Sequence, residues 1–474
     1  MATVITNIEQ PELFFGLVGA IGADLDPVIN SFRVYLEAQK YHVISIKVTD
    51  TYKLLDGVIT PKPPLTREPL RDRYRTYISY GNKLRSYFKD DSVLAALSIA
   101  QIIRRRAQRL RQSKETPSQK TAYIIHQFKR KEEIDLLRTI YGRLFLQVSV
   151  YSRRGARVDY LARKFADGEN SADINRFRSD AESLVQQDEN ETAVEHGQRV
   201  GKVFHDADFI VNSDVIQPSI PEQVFRFGEL LFGSNSISPT KIEYGMFMAK
   251  AAALRTLDLS RQVGAAIFSP TTEIISLGSN EVPKASGGTY WSDDQYDDRE
   301  WMRNYDSNDK RKKEILLELF ATTGSTLEPK KWLQKKSVED SQFMDALEYG
   351  RIVHAEMSAI SDAARTGRSV RDSILYSTTF PCHMCAKHIV AAGVSKVIFL
   401  EPYPKSLASE LHSDSLDIEG TDRGTYSKFP SVRFEHFFGV TPRRYRELFE
   451  RGKRKDKNGI FISIIGRFLP YLKG

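Results

Sequence analysis

Two short segments, His354-Ala355-Glu356 and Pro381-Cys382-His383-Met384-Cys385, constrain this chain more than any other stretch. They supply one imidazole, two thiols and one carboxylate, and a fold that uses them together must bring them to one point. One nitrogen and two sulfurs make three ligands for Zn²⁺ and leave its fourth position open, as catalytic zinc requires. Zinc held in this way activates water at neutral pH. Glu356 is then available to move protons. Cys382 and Cys385 are three apart and share a face of one helical turn, with Pro381 suited to the first helical position. A helix N-terminus also favours thiolate over thiol. His354 and Glu356 are two apart and would diverge on a regular helix, so they belong at the irregular start of a helix over 354–366.

The chain has only two cysteines, which excludes a four-cysteine site. A structural zinc completed by His383, His388 or His412 remains as the alternative. H-x-E alone is a common surface pattern, and C-x-x-C alone is a redox pair or half of a zinc finger. In this order and separation they form the H-x-E…P-C-x-x-C signature of zinc-dependent cytosine and adenine deaminases, which the chain resembles.

A length of 474 residues predicts two or three domains. The N-terminal MATVITNIEQPEL lacks the basic and apolar regions of a signal peptide, and no apolar run is long enough to span a membrane. With two cysteines, both in the motif, this predicts a reducing cytoplasm and no membrane partner. Net charge is +8, with basic clusters at 104–111, 330–336 and 443–457. Most such clusters are solvated helix faces. Their sum favours a phosphate-bearing or polyanionic partner.

The fold class expected is α/β, in two parts. Residues 13–22 read as a buried strand entering a glycine turn, 26–39 as a helix and 42–48 as a second strand, a βαβ unit. Gly16, Gly19 and Gly22 could let backbone amides approach a nucleotide phosphate. The pattern is a degenerate Walker A, with Ala23 at the lysine position and Asp24 at the Ser/Thr position, where phosphate is reachable only through a metal. Further helices are expected at 92–112 and 155–166, and strands at 145–151 and 207–212. The order resembles P-loop nucleoside-phosphate kinases, which implies a kinase-like parallel-sheet domain over 1–215. A linker over 216–240 holds a short helix at 222–231. A deaminase-like α/β/α domain then fills 241–474: helix 242–257, strands 263–268 and 273–278, the motif helix, strand 373–378, helix 381–392 and strand 396–400. It is interrupted by 283–350, with Ser286-Gly287-Gly288, an acidic aromatic patch from Trp291 to Trp301, and helical stretches at 309–322 and 338–350. An interruption of this length near a site is a lid, an interface or an inserted subdomain.

Ser260-Arg261-Gln262-Val263-Gly264 and Gly278-Ser279-Asn280-Glu281 resemble the deoxycytidylate deaminases. That resemblance implies Arg261 and Gln262 near the nucleotide phosphate and Asn280 at the sugar hydroxyl. With Glu401-Pro402-Tyr403-Pro404-Lys405-Ser406 and Gly439-Val440-Thr441-Pro442-Arg443-Arg444-Tyr445, the chain resembles the bacterial antiviral dCTP deaminases along nearly its full length. Their activity implies hydrolysis of dCTP, and of dCMP, to the uracil nucleotide and ammonia, depleting dCTP during phage infection. It also implies a homo-oligomer and restraint by an RNA or another cognate regulator. Two further readings stand beside this one: a tRNA or single-stranded DNA deaminase using the basic clusters, and a non-enzymatic nucleotide or RNA sensor.

Overall fold

The computed structural model describes residues 10–113, 120–190, 200–402 and 406–463. Residues 1–9 of the N-terminal segment in which a leader was sought, and 403–405 of one family-like motif, lie outside them. The chain divides into two compact units, Met1–Glu243 with Phe438–Gly474, and Tyr244–Phe437.

The first unit is built on β1 (Leu13–Gly19), β2 (His42–Lys47), β3 (Thr121–Phe128), β4 (Phe145–Tyr151) and β5 (Phe209–Asn212), parallel in the order β2-β3-β1-β4-β5. All seven residues of β1 are buried, as a central parallel strand covered on both faces requires. Helix Asp26–Ala38 opens with a proline in its first turn and presents Val28, Ile29, Phe32, Tyr35 and Leu36 to the core. Helix Leu70–Phe88 is polar in composition, and its buried Arg85 pairs with buried Glu133 at 2.8 Å.

The second unit is a mixed sheet of β6 (Gly264–Phe268), β7 (Ile274–Ser279), β8 (Ile374–Thr379), β9 (Lys396–Glu401), β10 (Leu416–Ile418) and β11 (Val432–His436), in the order β10-β11-β9-β8-β6-β7. β6 runs antiparallel to both neighbours, and the other pairs are parallel. Helix Ala355–Arg365 carries Ala355, Ala359 and Ala363 at four-residue spacing, all fully buried. These small side chains form one stripe and let the helix lie close on β7. A Cβ added to Gly278 would sit 2.1 Å from the Ala355 carbonyl oxygen and 2.5 Å from the Ala359 nitrogen. That close approach fixes the start of the helix that carries His354 and Glu356.

Three expectations are corrected. Residues 216–240 are part of the first unit rather than a linker. Helix Ile220–Leu231 is closed by a Ser219–Glu222 capping box and buries Val224, Phe227, Leu230 and Leu231 in that unit's core. The C-terminal 438–463 also belong there and not to the deaminase-like domain. β12 (Gly439–Val440) adds antiparallel to β5, and Val440 and Leu448 are fully buried in the same core. The expected helix over 338–350 reduces to the turns Lys336–Glu339 and Gln342–Asp345. Its backbone bonds elsewhere: Asn308 donates to the Ala346 carbonyl and accepts from the Tyr349 amide, and Lys312 donates to the Met344 carbonyl. Among the described residues, no helix is long and apolar enough to cross a membrane.

Gly278→Ala is expected to destabilise the second unit by about 1–3 kcal/mol through overpacking and to lower bound zinc. Urea unfolding and metal analysis check both, and an unchanged variant would contradict the packing argument.

Candidate active site

The two motif segments meet at two helix starts. His354 caps helix Ala355–Arg365 in an extended conformation. Cys382 caps helix His383–Ala391, its sulfur accepting the Cys385 amide at 3.5 Å. Pro381 therefore precedes the cap instead of opening the helix, which begins two residues later than expected. His354 Nδ1 lies 3.3 Å from Cys382 Sγ and 3.4 Å from Cys385 Sγ. Glu356 is 4% exposed. Its Oε2 lies 3.4 Å from Cys385 Sγ, and its Oε1 accepts a hydrogen bond from Ser377 Oγ at 3.3 Å.

These positions fit zinc. Bonds of about 2.3 Å to sulfur and about 2.0 Å to nitrogen in a tetrahedron hold N and S about 3.5 Å apart. Among the described residues, His354, Cys382 and Cys385 are the group that could hold a metal, with ligand atoms within 4.8 Å of one another. None of the other candidate histidines joins it. His383 faces Glu348 at 3.9 Å, His412 meets the His383 carbonyl at 3.3 Å, and His388 is exposed.

The electrostatics are those of a metal-binding cluster. A hydrogen bond from Cys385 brings the Cys382 thiol down to about 4 against burial, and Cys385 is pushed up in turn. Burial opposes charge on His354, but its bond to Cys382 together with the negative charges of Cys382, Glu356 and Asp258 outweighs this and raises its pKa. Burial raises Glu356 above the usual carboxylate range. Protons shared among buried thiols and imidazole are what a dication displaces on binding.

A pocket of about 160 Å³ opens beside this cluster, lined by Asp258, Arg261, Asn280, Glu356, Phe380 and Cys382 among others. Asn280 organises its rim. The Asn280 Nδ2 donates to Asp258 Oδ2 at 2.5 Å and to the Arg261 carbonyl at 2.8 Å, and its Oδ1 accepts the Val263 amide at 2.7 Å. Both of its N–H groups are thus engaged, and one Oδ1 lone pair remains for a ligand. Arg261 is at the mouth, 3.7 Å from Glu401. Gln262 is not among the lining residues, and its amide donates to the Thr256 carbonyl. Asp258 was not anticipated from sequence. Its carboxylate accepts the Ser260 amide at 2.8 Å, and burial raises its pKa.

The first unit carries the glycine candidates. Gly16 and Gly19 are within β1, where the Phe145 ring and Gln127 approach them, and Gly22 turns beside Arg157. The Ile21 amide donates to buried Asp188 at 2.6 Å, and the Ala23 amide to the Ala20 carbonyl. Asp24 accepts the Asp26 amide at 3.2 Å, within its own turn. Internal groups therefore occupy the Ile21 and Ala23 amides.

The family model for the cytidine and deoxycytidylate deaminase zinc-binding region matches residues 239–401. The matched residues take in His354, Cys382 and Cys385, and zinc is the metal of that group. A probable deoxycytidylate deaminase of Drosophila melanogaster is 27% identical over 201 residues, 41% of this chain and 78% of that protein. The human deoxycytidylate deaminase is 28% identical over 158 residues, 33% of this chain and 63% of its own. The deoxycytidylate deaminase of Enterobacteria phage T2 is 43% identical over 54 residues, 11% of this chain and 29% of that protein. Among solved structures, the dCMP deaminase of cyanophage S-TIM5 with dCMP and dUMP covers 42% of this chain at 18% identity and a TM-score of 0.24.

Cys385→Ser is expected to lose bound zinc, while Glu356→Gln keeps it at the wild-type stoichiometry. Elemental analysis of the purified proteins decides this, and zinc retained by the serine variant would contradict the ligand set.

Proposed function

We propose that the second unit hydrolyses deoxycytidine nucleotides, dCTP and dCMP, to the deoxyuridine nucleotides and ammonia. The observation that carries this reading is the convergence of His354, Cys382 and Cys385 with the Glu356 carboxylate beside one narrow pocket. The deaminase match over 239–401 supports it. The bound metal supplies a water activated at neutral pH. With the metal bound, Glu356 takes one proton from the attacking water and delivers it to N3 of the cytosine ring, then takes the proton of the new C4 hydroxyl and passes it to the departing amine. Oxygen is added at C4 as the C4–N bond breaks, so water enters and ammonia leaves. Asn280, through its remaining Oδ1 lone pair, takes the sugar hydroxyl, and Arg261 takes the phosphate side, where its fork can donate two hydrogen bonds.

For the whole chain we propose depletion of dCTP as defence against phage, under restraint by an RNA or another cognate regulator. The motif resemblance to antiviral dCTP deaminases supports this role.

Incubation with dCTP, dCMP, CTP and a single-stranded oligonucleotide, read by mass spectrometry, is expected to give dUTP and dUMP. Glu356→Gln is expected to lose at least about a hundredfold in turnover. Uracil formed only in the oligonucleotide would replace this reading with a polynucleotide deaminase. Undiminished turnover by the Glu356 variant would remove Glu356 from the chemistry.

A further inference from the structure

The pocket beside the metal cluster has an apolar side that the reaction above leaves without a role. Val263, Leu347, Ala355 and Phe380 all line it, and each packs into or against the unit's apolar core. Three of them belong to the framework of the unit. Val263 leads into β6, Ala355 opens the motif helix and Phe380 follows β8. Among the described residues that line the pocket, Leu347 alone comes from the 283–350 interruption.

Leu347 sits in irregular backbone, yet its position is fixed from several directions. Asn308, in the first turn of helix Ser307–Thr322, donates from Nδ2 to the Ala346 carbonyl at 2.8 Å and accepts the Tyr349 amide on Oδ1 at 3.1 Å. One side chain thus clamps the chain just before and just after Leu347. Lys312, one turn further along and 4% exposed, donates to the Met344 carbonyl at 2.6 Å. The Gly350 amide closes a turn on the Leu347 carbonyl at 3.4 Å. Ordering irregular backbone costs about 1–2 kcal/mol per residue, and these bonds offset it. The helix that supplies them is itself seated: Asp306 accepts the Asp309 amide at its start, and Leu316 and Phe320 are buried. The two ends of the interruption also meet at the pocket. Glu281, next to Asn280, and Val353, next to His354, exchange backbone hydrogen bonds at 3.3 and 3.1 Å.

We propose that the interruption builds one wall of the substrate pocket, with Leu347 touching the pyrimidine ring of the bound nucleotide and Asn308 as the positioning residue that sets Leu347 there. This rests on the nucleotide reading above. Apolar walls supply most of the contact in small-molecule sites, while a few polar groups fix orientation. Here those polar groups are Asn280, Arg261 and Glu356. A contact made equally in the ground state and the transition state sets KM and leaves kcat alone.

Steady-state deamination of dCMP and dCTP by the full-length protein, with zinc measured for every variant, tests this. Leu347→Ala is expected to raise KM at least about tenfold, with kcat and zinc stoichiometry unchanged. Leu347→Trp, which fills the pocket, should lose turnover and keep its zinc. Asn308→Ala should raise KM in the same sense, and the double variant with Leu347→Ala no further than Leu347→Ala alone, because Asn308 acts through Leu347. Lys331→Ala, at an exposed ion pair of the same interruption, leaves both constants unchanged. Should Leu347→Ala fail to fold, Leu347→Trp carries the test. An active wild type with unchanged KM in Leu347→Ala, or full turnover in Leu347→Trp, would overturn the wall alone. A zinc-loaded wild type that deaminates neither nucleotide would remove the nucleotide reading, and the wall with it.

Discussion

The candidate site depends on one close contact between backbones. β7 can approach helix Ala355–Arg365 only because Gly278 has no side chain and Ala355 and Ala359 have small ones. That contact sets where the helix begins, and the helix start sets His354 as its cap and Glu356 two residues further on. The second helix start brings Cys382 and Cys385 to within 3.4 Å of His354 Nδ1. Ligand geometry for zinc is thus fixed by helix ends packed on a sheet rather than by a loop, and such sites hold their shape better than loop-borne ones. Two N-terminal dipoles also face the buried thiols, favouring the deprotonated sulfur that a metal needs.

Around that centre, Asn280 holds the stretch 258–263 at three points: Asp258, the Arg261 carbonyl and the Val263 amide all bond to its amide group. Its position at the end of β7 means that the strand fixing the motif helix also fixes the pocket rim. Positioning of the metal ligands and of the pocket rim therefore passes through a few consecutive residues.

The ligand set and Glu356 were legible because each half of the motif is local and helix caps follow simple rules. Strands β6 to β9 fell close to their expected positions because their apolar runs are bounded by turn residues. Less was legible where partners are distant. Nothing local marks Gly439-Val440 as a strand joining β5, since its burial comes from the first unit's core. The buried Arg85–Glu133 pair breaks the hydropathy pattern of helix Leu70–Phe88, which no expectation covered. The helix predicted over 338–350 lost its backbone partners to Asn308 and Lys312. Asp258 and Leu347 become neighbours of site residues only through folding. Glycine spacing in β1 suggested a phosphate loop, but an internal carboxylate, Asp188, takes the Ile21 amide.

The central claim is a zinc ion held by one histidine and two cysteines with its fourth position open to water. X-ray absorption at the zinc edge of the purified full-length protein measures this directly. The account predicts two sulfurs at about 2.3 Å with one nitrogen and one further light atom at about 2.0–2.1 Å, the light atom exchanging when a nucleotide is added. A fourth protein ligand that closes the sphere, or a protein that purifies and folds without zinc, would contradict it.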